Sequence, residues 1–133
     1  MKKLYIIIIS TLLCVAASAQ PDWAKNATKS VFTLKTFDAE GTLIGSSNGF
    51  YVSSQGEAIS SFTPFRKASK AIVIDNQGKE WPVVHLLGVD DTYDVAKFKV
   101  AVKKALPLTI ANENAADSSD IYILPYSTSK KPQ

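Results

Sequence analysis

Apolar and polar positions begin to alternate with a period of two at residue 30. Phe32, Leu34 and Thr36 fall on one side of a chain whose other side carries Thr33 and Lys35, the pattern of a half-buried strand. Ala39-Glu40-Gly41-Thr42 supplies a turn, and residues 43–52 read as the returning strand, with Gly45 and Gly49 marking places where it bends or bulges. A second turn, Ser53-Ser54-Gln55-Gly56, leads to a short strand over 57–61. Residues 62–70 form a loop with one helical turn, for which Thr63 is the expected N-cap and Pro64 the first helical residue. A hairpin follows, with strands over 71–75 and 80–87 around Asn76-Gln77-Gly78-Lys79, and residues 88–94 read as a loop of turn formers. In the next strand, 95–100, Ala96, Phe98 and Val100 alternate with Lys97 and Lys99, so one face is core and the other is wet. Ile121-Tyr122-Ile123-Leu124 is a last apolar run before a polar tail over 127–133. About seven short strands at such spacing, with no long helical stretch among them, predict an all-β fold, a small barrel or sandwich.

The first residues follow another rule. Lys2 and Lys3 precede an apolar run over 4–17, and Ala17-Ser18-Ala19 is a small-x-small cleavage site, so residues 1–19 are predicted to be a secretory signal peptide. The run is shorter than the about 20 apolar residues that a membrane-spanning helix requires. Localisation is therefore expected to be secreted or periplasmic, with no membrane anchor after cleavage. Residues 20–29 are polar apart from Trp23 and are expected to hold a short helical turn. The one cysteine, Cys14, lies within the signal and follows Leu13 rather than a small residue, which argues against a lipid anchor and leaves the exported part without thiol chemistry. The full chain carries a net charge of +3, to which Lys2 and Lys3 contribute, so the exported part is close to neutral. That balance excludes an electrostatic nucleic-acid footprint.

Candidate chemistry is sparse. Gly45-Ser46-Ser47-Asn48-Gly49 matches the G-x-S-x-G nucleophile elbow in letters, but the elbow needs a strand, a sharp turn and a helix, and here the glycines run into the strand residues Phe50-Tyr51-Val52. His85, the single histidine, sits inside a strand without a nucleophile pattern beside it and without the ligand spacing of a metal site. Asp90, Asp91 and Asp94 lack the central glycine and terminal glutamate of a calcium loop and read as turn carboxylates. Arg66, Lys67 and Lys70 make a small basic cluster of the kind common on solvated loops. Asn26-Ala27-Thr28 is a glycosylation sequon, meaningful only in a eukaryotic secretory pathway. No cofactor is expected.

Three segments resemble the trypsin/chymotrypsin superfamily of serine peptidases, in its bacterial periplasmic Do-like branch. Gly49-Phe50-Tyr51-Val52-Ser53-Ser54-Gln55-Gly56 is similar to the family's G-F-hydrophobic-S-x-x-G hairpin. Residues 88–100, from Gly88-Val89-Asp90 through Asp94-Val95-Ala96 to Val100, are similar to its G-x-D-x-x-x-D-L-A-V-L-K-V segment. Leu106-Pro107-Leu108 with residues 121–126 resembles the strands that close the first barrel. Tyr93-Asp94-Val95-Ala96-Lys97-Phe98 and Leu124-Pro125-Tyr126-Ser127-Thr128 are similar, in addition, to secreted Bacteroidota proteins that join a degenerate trypsin-like domain to tetratricopeptide repeats.

The resemblance implies a six- to seven-stranded Greek-key barrel over residues 30–126, like the N-terminal half of a trypsin-like protease. It places the triad aspartate at Asp94 and the triad histidine at position 63, where this chain has threonine. The nucleophile would lie in a second barrel, and too few residues follow Asp94 to build one. An aspartate of this kind works by orienting an imidazole that takes a serine proton, so without base and nucleophile the position is vestigial. The expected function is that of a non-catalytic homologue, a binding or scaffolding module. Its barrel seam near Phe62, Thr63, Phe65 and Asp94 is expected to be exposed, open to a protein or peptide partner or to self-association. Two alternatives stand beside it. One is the N-terminal part of an active serine endopeptidase completed elsewhere; the other is an unrelated secreted β-domain that binds carbohydrate or peptide through Trp23, Trp81 and Tyr93.

Overall fold

The structure, a computed structural model, describes residues 21–114 and residue 123. A short helix, α1 (Asp22–Thr28), leads into six strands: β1 (Val31–Phe37), β2 (Leu43–Tyr51), β3 (Glu57–Ser61), β4 (Lys70–Ile74), β5 (Glu80–Asp90) and β6 (Val95–Val100). All pairings are antiparallel and the sheet closes on itself in the order β1-β2-β3-β6-β5-β4. Three strands meander, the chain crosses the barrel end to place β4 against β1, and a second meander returns to β3, so each set of four is a Greek key. The seventh strand expected at 121–124 lies outside the described residues apart from Ile123, which is exposed and belongs to no strand. The predicted signal segment, 1–19, and the polar tail lie outside them as well. Among the described residues no helix is long and apolar enough to cross a membrane.

Alternation selects the core as the pattern predicts. Phe32, Leu34 and Thr36 from β1 and Ala96, Phe98 and Val100 from β6 are fully enclosed, with Val73 of β4 and Ala58 of β3 between them. Phe98 is its centre, with the Phe65 ring 5.1 Å away on one side and Phe32 6.0 Å away on the other, in the tilted and edge-on arrangements that aromatic quadrupoles favour. Thr36 is enclosed because its hydroxyl donates to the Pro64 carbonyl at 2.5 Å, so the buried polar group is paired. Gly49 makes room for the Phe32 ring: a Cβ there would sit 2.7 Å from the ring and 2.6 Å from the Ile59 carbonyl.

Four expectations need correction. The bulge near Gly45 is real, with Ile44 skipped as Thr36 pairs with Gly45 and Phe37 with Leu43, but Gly49 pairs in regular register. Residues 88–90 continue β5 rather than forming loop, because Val89 and Asp90 pair with Ala96 and Val95. Leu106-Pro107-Leu108 forms no strand; Ala105 and Leu108 instead donate their N–H groups to the carbonyls of Ser54 and Tyr51. The helical turn after β3 is the 3-10 turn Thr63–Phe65, preceded by Phe62, and the Thr63 side chain caps no N–H within it. Thr63 has a different partner.

Candidate functional site

The 3-10 turn crosses one end of the barrel and meets the β5–β6 turn, which brings positions 63 and 94 together. The Asp94 carboxylate accepts two hydrogen bonds at one oxygen, Oδ1, from the Thr63 N–H at 2.7 Å and the Thr63 hydroxyl at 2.8 Å, across 31 residues of chain. The Asp94 carbonyl accepts from the Phe62 N–H at 3.1 Å. Asp94 adopts a φ of 54°, the left-handed conformation that aspartate tolerates better than most residues, and this aims both its carboxylate and its carbonyl at the turn. A second clasp lies beside the first, because the Arg66 guanidinium pairs with Asp91 and stacks over the Phe62 ring at 4.8 Å. Asp90 turns inward on its own loop, its Oδ1 accepting the N–H groups of Thr92 and Tyr93, each at 3.0 Å. The three aspartates therefore serve three different partners. Among the described residues no group of three or more acidic, histidine or cysteine side chains is placed to hold a metal ion.

This arrangement positions a loop, with the Asp94 Oδ1 taken up by two hydrogen bonds from Thr63. The threonine hydroxyl at position 63 does not act as a base at neutral pH. His85 lies on β5, exposed and opposite Lys99 of β6, at a distance in the fold from Asp94 set by five intervening β5 positions. Ser47 lies within β2 opposite Leu34, in a strand rather than at the head of a helix, so the G-x-S-x-G letters carry no elbow geometry. Its hydroxyl is buried without a hydrogen-bond partner, a consequence of facing the barrel interior next to an apolar neighbour.

Phe62 and Phe65, expected on an exposed seam, are half-buried and pack against the core. Beside them, along β5, Val84, Leu86, Leu87 and Val89 are each about half exposed. Patterning placed 80–87 in a strand but could not show that β4 covers β5 only as far as Pro82. The three candidate aromatics do not form one platform. Trp81 is half-buried, donates its Nε1–H to Asp75 at 3.0 Å and lies under the Lys79 ammonium at 4.1 Å, so it serves the β4–β5 hairpin. Trp23 lines a groove with Leu106, Pro107 and Leu108 at the α1 end of the barrel, and Tyr93 stands at the other end, 80% exposed on the β5–β6 turn. Compared with known proteins, the chain matches no family model and no curated protein.

Proposed function

We propose that this protein is a non-catalytic homologue of the trypsin-like serine peptidases, working outside the cytoplasm as a binding or scaffolding module for a protein or peptide partner. One observation carries the reading. The resemblance assigns a carboxylate to position 94 and its imidazole partner to position 63, and in the fold those two side chains touch at 2.8 Å although 31 residues separate them. A chance likeness of short motifs gives no reason for that contact. The Greek-key order of the six strands agrees with the same ancestry. Threonine at position 63 keeps the hydrogen bond to the carboxylate and removes the base, which retains the loop geometry and ends the chemistry.

Two measurements test the two halves of the proposal. Fluorophosphonate labelling and casein digestion with the protein expressed from its full sequence are expected to be negative, and labelling of any serine overturns the non-catalytic reading. Thr63→His tests the ancestry: the introduced imidazole should lie against Asp94 and titrate, by NMR, above the ordinary histidine range near 6.5. An introduced imidazole that titrates at or below the ordinary value overturns the assignment of position 63.

A further inference from the structure

The barrel is closed by a narrow seam. β4 pairs with β5 only through Ile72, Val73 and Ile74 against Pro82, Trp81 and Glu80, while β5 continues to Asp90 with β6 along one side. Past Pro82 the other side of β5 pairs with nothing among the described residues. A groove of about 300 Å³ opens there, between β5 at Val83 and Leu86 and a wall made by Phe65, Lys70 and Ala71. Strands left free at a sheet edge are normally short or carry lysine or proline that blocks pairing. Residues 83–89 carry neither. The stretch presents Val84, Leu86, Leu87 and Val89, exposed by 47%, 51%, 49% and 50%.

We propose that this edge is an interface between two copies of the chain, with β5 of one protomer lying antiparallel against β5 of the other about a two-fold axis near Leu86 and Leu87. Charge selects this occupant and this direction. The Val83 end of the edge carries Lys70, exposed and without an ion-pair partner among the described residues, and the far end carries Asp90, whose Oδ2 makes no bond among them. Antiparallel pairing sets Lys70 of each copy near Asp90 of the other, twice over by symmetry, whereas parallel pairing would set lysine near lysine and aspartate near aspartate. A symmetric contact of this kind closes on itself and does not propagate into fibres. Four half-exposed side chains offer well under the ~800 Å² per partner of a standard stable interface, so the dimer is a reversible one that grows with concentration. The proposal rests on the β5 edge and is independent of the contact between Thr63 and Asp94.

Sedimentation of the protein expressed from its full sequence tests it. A monomer–dimer equilibrium is expected. Leu87→Lys should weaken it by about tenfold or more in Kd, since each copy would place a charge next to the axis. Lys70→Glu should weaken it too, and Lys70→Arg should leave it intact. Both sites are solvent-facing, and unchanged melting of each variant at low concentration establishes that the barrel persists. A cross-link reads the direction: in a Cys14→Ser background, Leu87→Cys should give a disulfide dimer on mild oxidation and Tyr93→Cys should not, because the two copies of Tyr93 stand at opposite ends of the interface. A protein that stays monomeric at every concentration overturns the proposal. So does a dimer indifferent to both Leu87→Lys and Lys70→Glu, or one that cross-links through position 93 instead.

Discussion

Asp94 shows how much of a local structure one side chain can hold. Its carboxylate accepts two hydrogen bonds from Thr63 and its carbonyl a third from Phe62, all from a backbone that has gone to positive φ. Left-handed backbone costs a non-glycine residue on the order of 1 kcal/mol, and hydrogen bonds to a charged acceptor contribute about 1.5–3 kcal/mol, so the bonds outweigh the strain. Asp94→Ala should therefore destabilise the barrel by about 2–3 kcal/mol, since the strain stays while both side-chain bonds go and the Thr63 N–H loses its acceptor. Asp94→Asn keeps a carbonyl oxygen in place and also tolerates the left-handed region, so its loss should be less than half as large. Urea unfolding of the two variants measures the difference. Equal losses would mean that charge, not hydrogen-bond geometry, is what the site supplies.

The two hairpins that open each meander are built from the same five-residue device. Asp38-Ala39-Glu40-Gly41-Thr42 and Asp75-Asn76-Gln77-Gly78-Lys79 both begin with an aspartate whose Oδ1 accepts the N–H groups two and four residues on. Both carry a glycine in fourth place at positive φ, 85° at Gly41 and 80° at Gly78, as a three-residue hairpin loop with a bulge requires. The side chain mimics a turn of backbone, which is why aspartate rather than glutamate begins each loop. The second copy does more, because Asp75 Oδ2 also accepts the Trp81 indole N–H at 3.0 Å. Asp75→Ala is thus expected to cost about 2 kcal/mol, against about 1 kcal/mol for Asp38→Ala, and to shift the emission of Trp81 as its indole loses a partner. Thermal melts followed by tryptophan fluorescence give both readings, and a larger loss at Asp38 would place the stability in the wrong hairpin.

The barrel as a whole depends on a small set of large side chains. Phe32, Phe98, Leu34, Val73, Val100 and Thr36 are the largest that are fully enclosed, and alanines at 58, 71, 96 and 105 fill much of the remaining interior. A core of this size leaves little margin, since a domain's net stability is about 5–15 kcal/mol. Phe98 joins β6 to β1 through Phe32 and to the end-capping turn through Phe65. Phe98→Ala should cost about 3–5 kcal/mol and leave the protein largely unfolded at physiological temperature. Phe98→Leu, which keeps most of the volume, should fold. Circular dichroism against temperature separates the two, and a cooperative melt near the wild-type midpoint for Phe98→Ala would show that the core lies elsewhere.

Most strand positions, the inward residues of β1 and β6, and the glycine turns at 39–42 and 76–79 were legible in the linear order of residues; the aspartates that open those turns were not. Pleating sends alternate side chains to opposite faces whatever a strand pairs with, so Phe32, Leu34 and Thr36, or Ala96, Phe98 and Val100, could be assigned to the interior from spacing alone. Partnership could not. That β4 lies against β1, that Thr63 spends its hydroxyl on Asp94 instead of capping its own turn, and that β5 runs to Asp90 are consequences of closure, which brings distant segments within hydrogen-bond reach. Gly88 and Asp90 are turn formers, yet the N–H and C=O groups of Val95 and Ala96 opposite Val89 and Asp90 offer a ladder, and satisfying those groups outweighs a local preference. The free side of β5 follows from the same closure: a five-residue strand, β4, cannot cover an eleven-residue one, and the uncovered remainder is visible only once the two lie side by side.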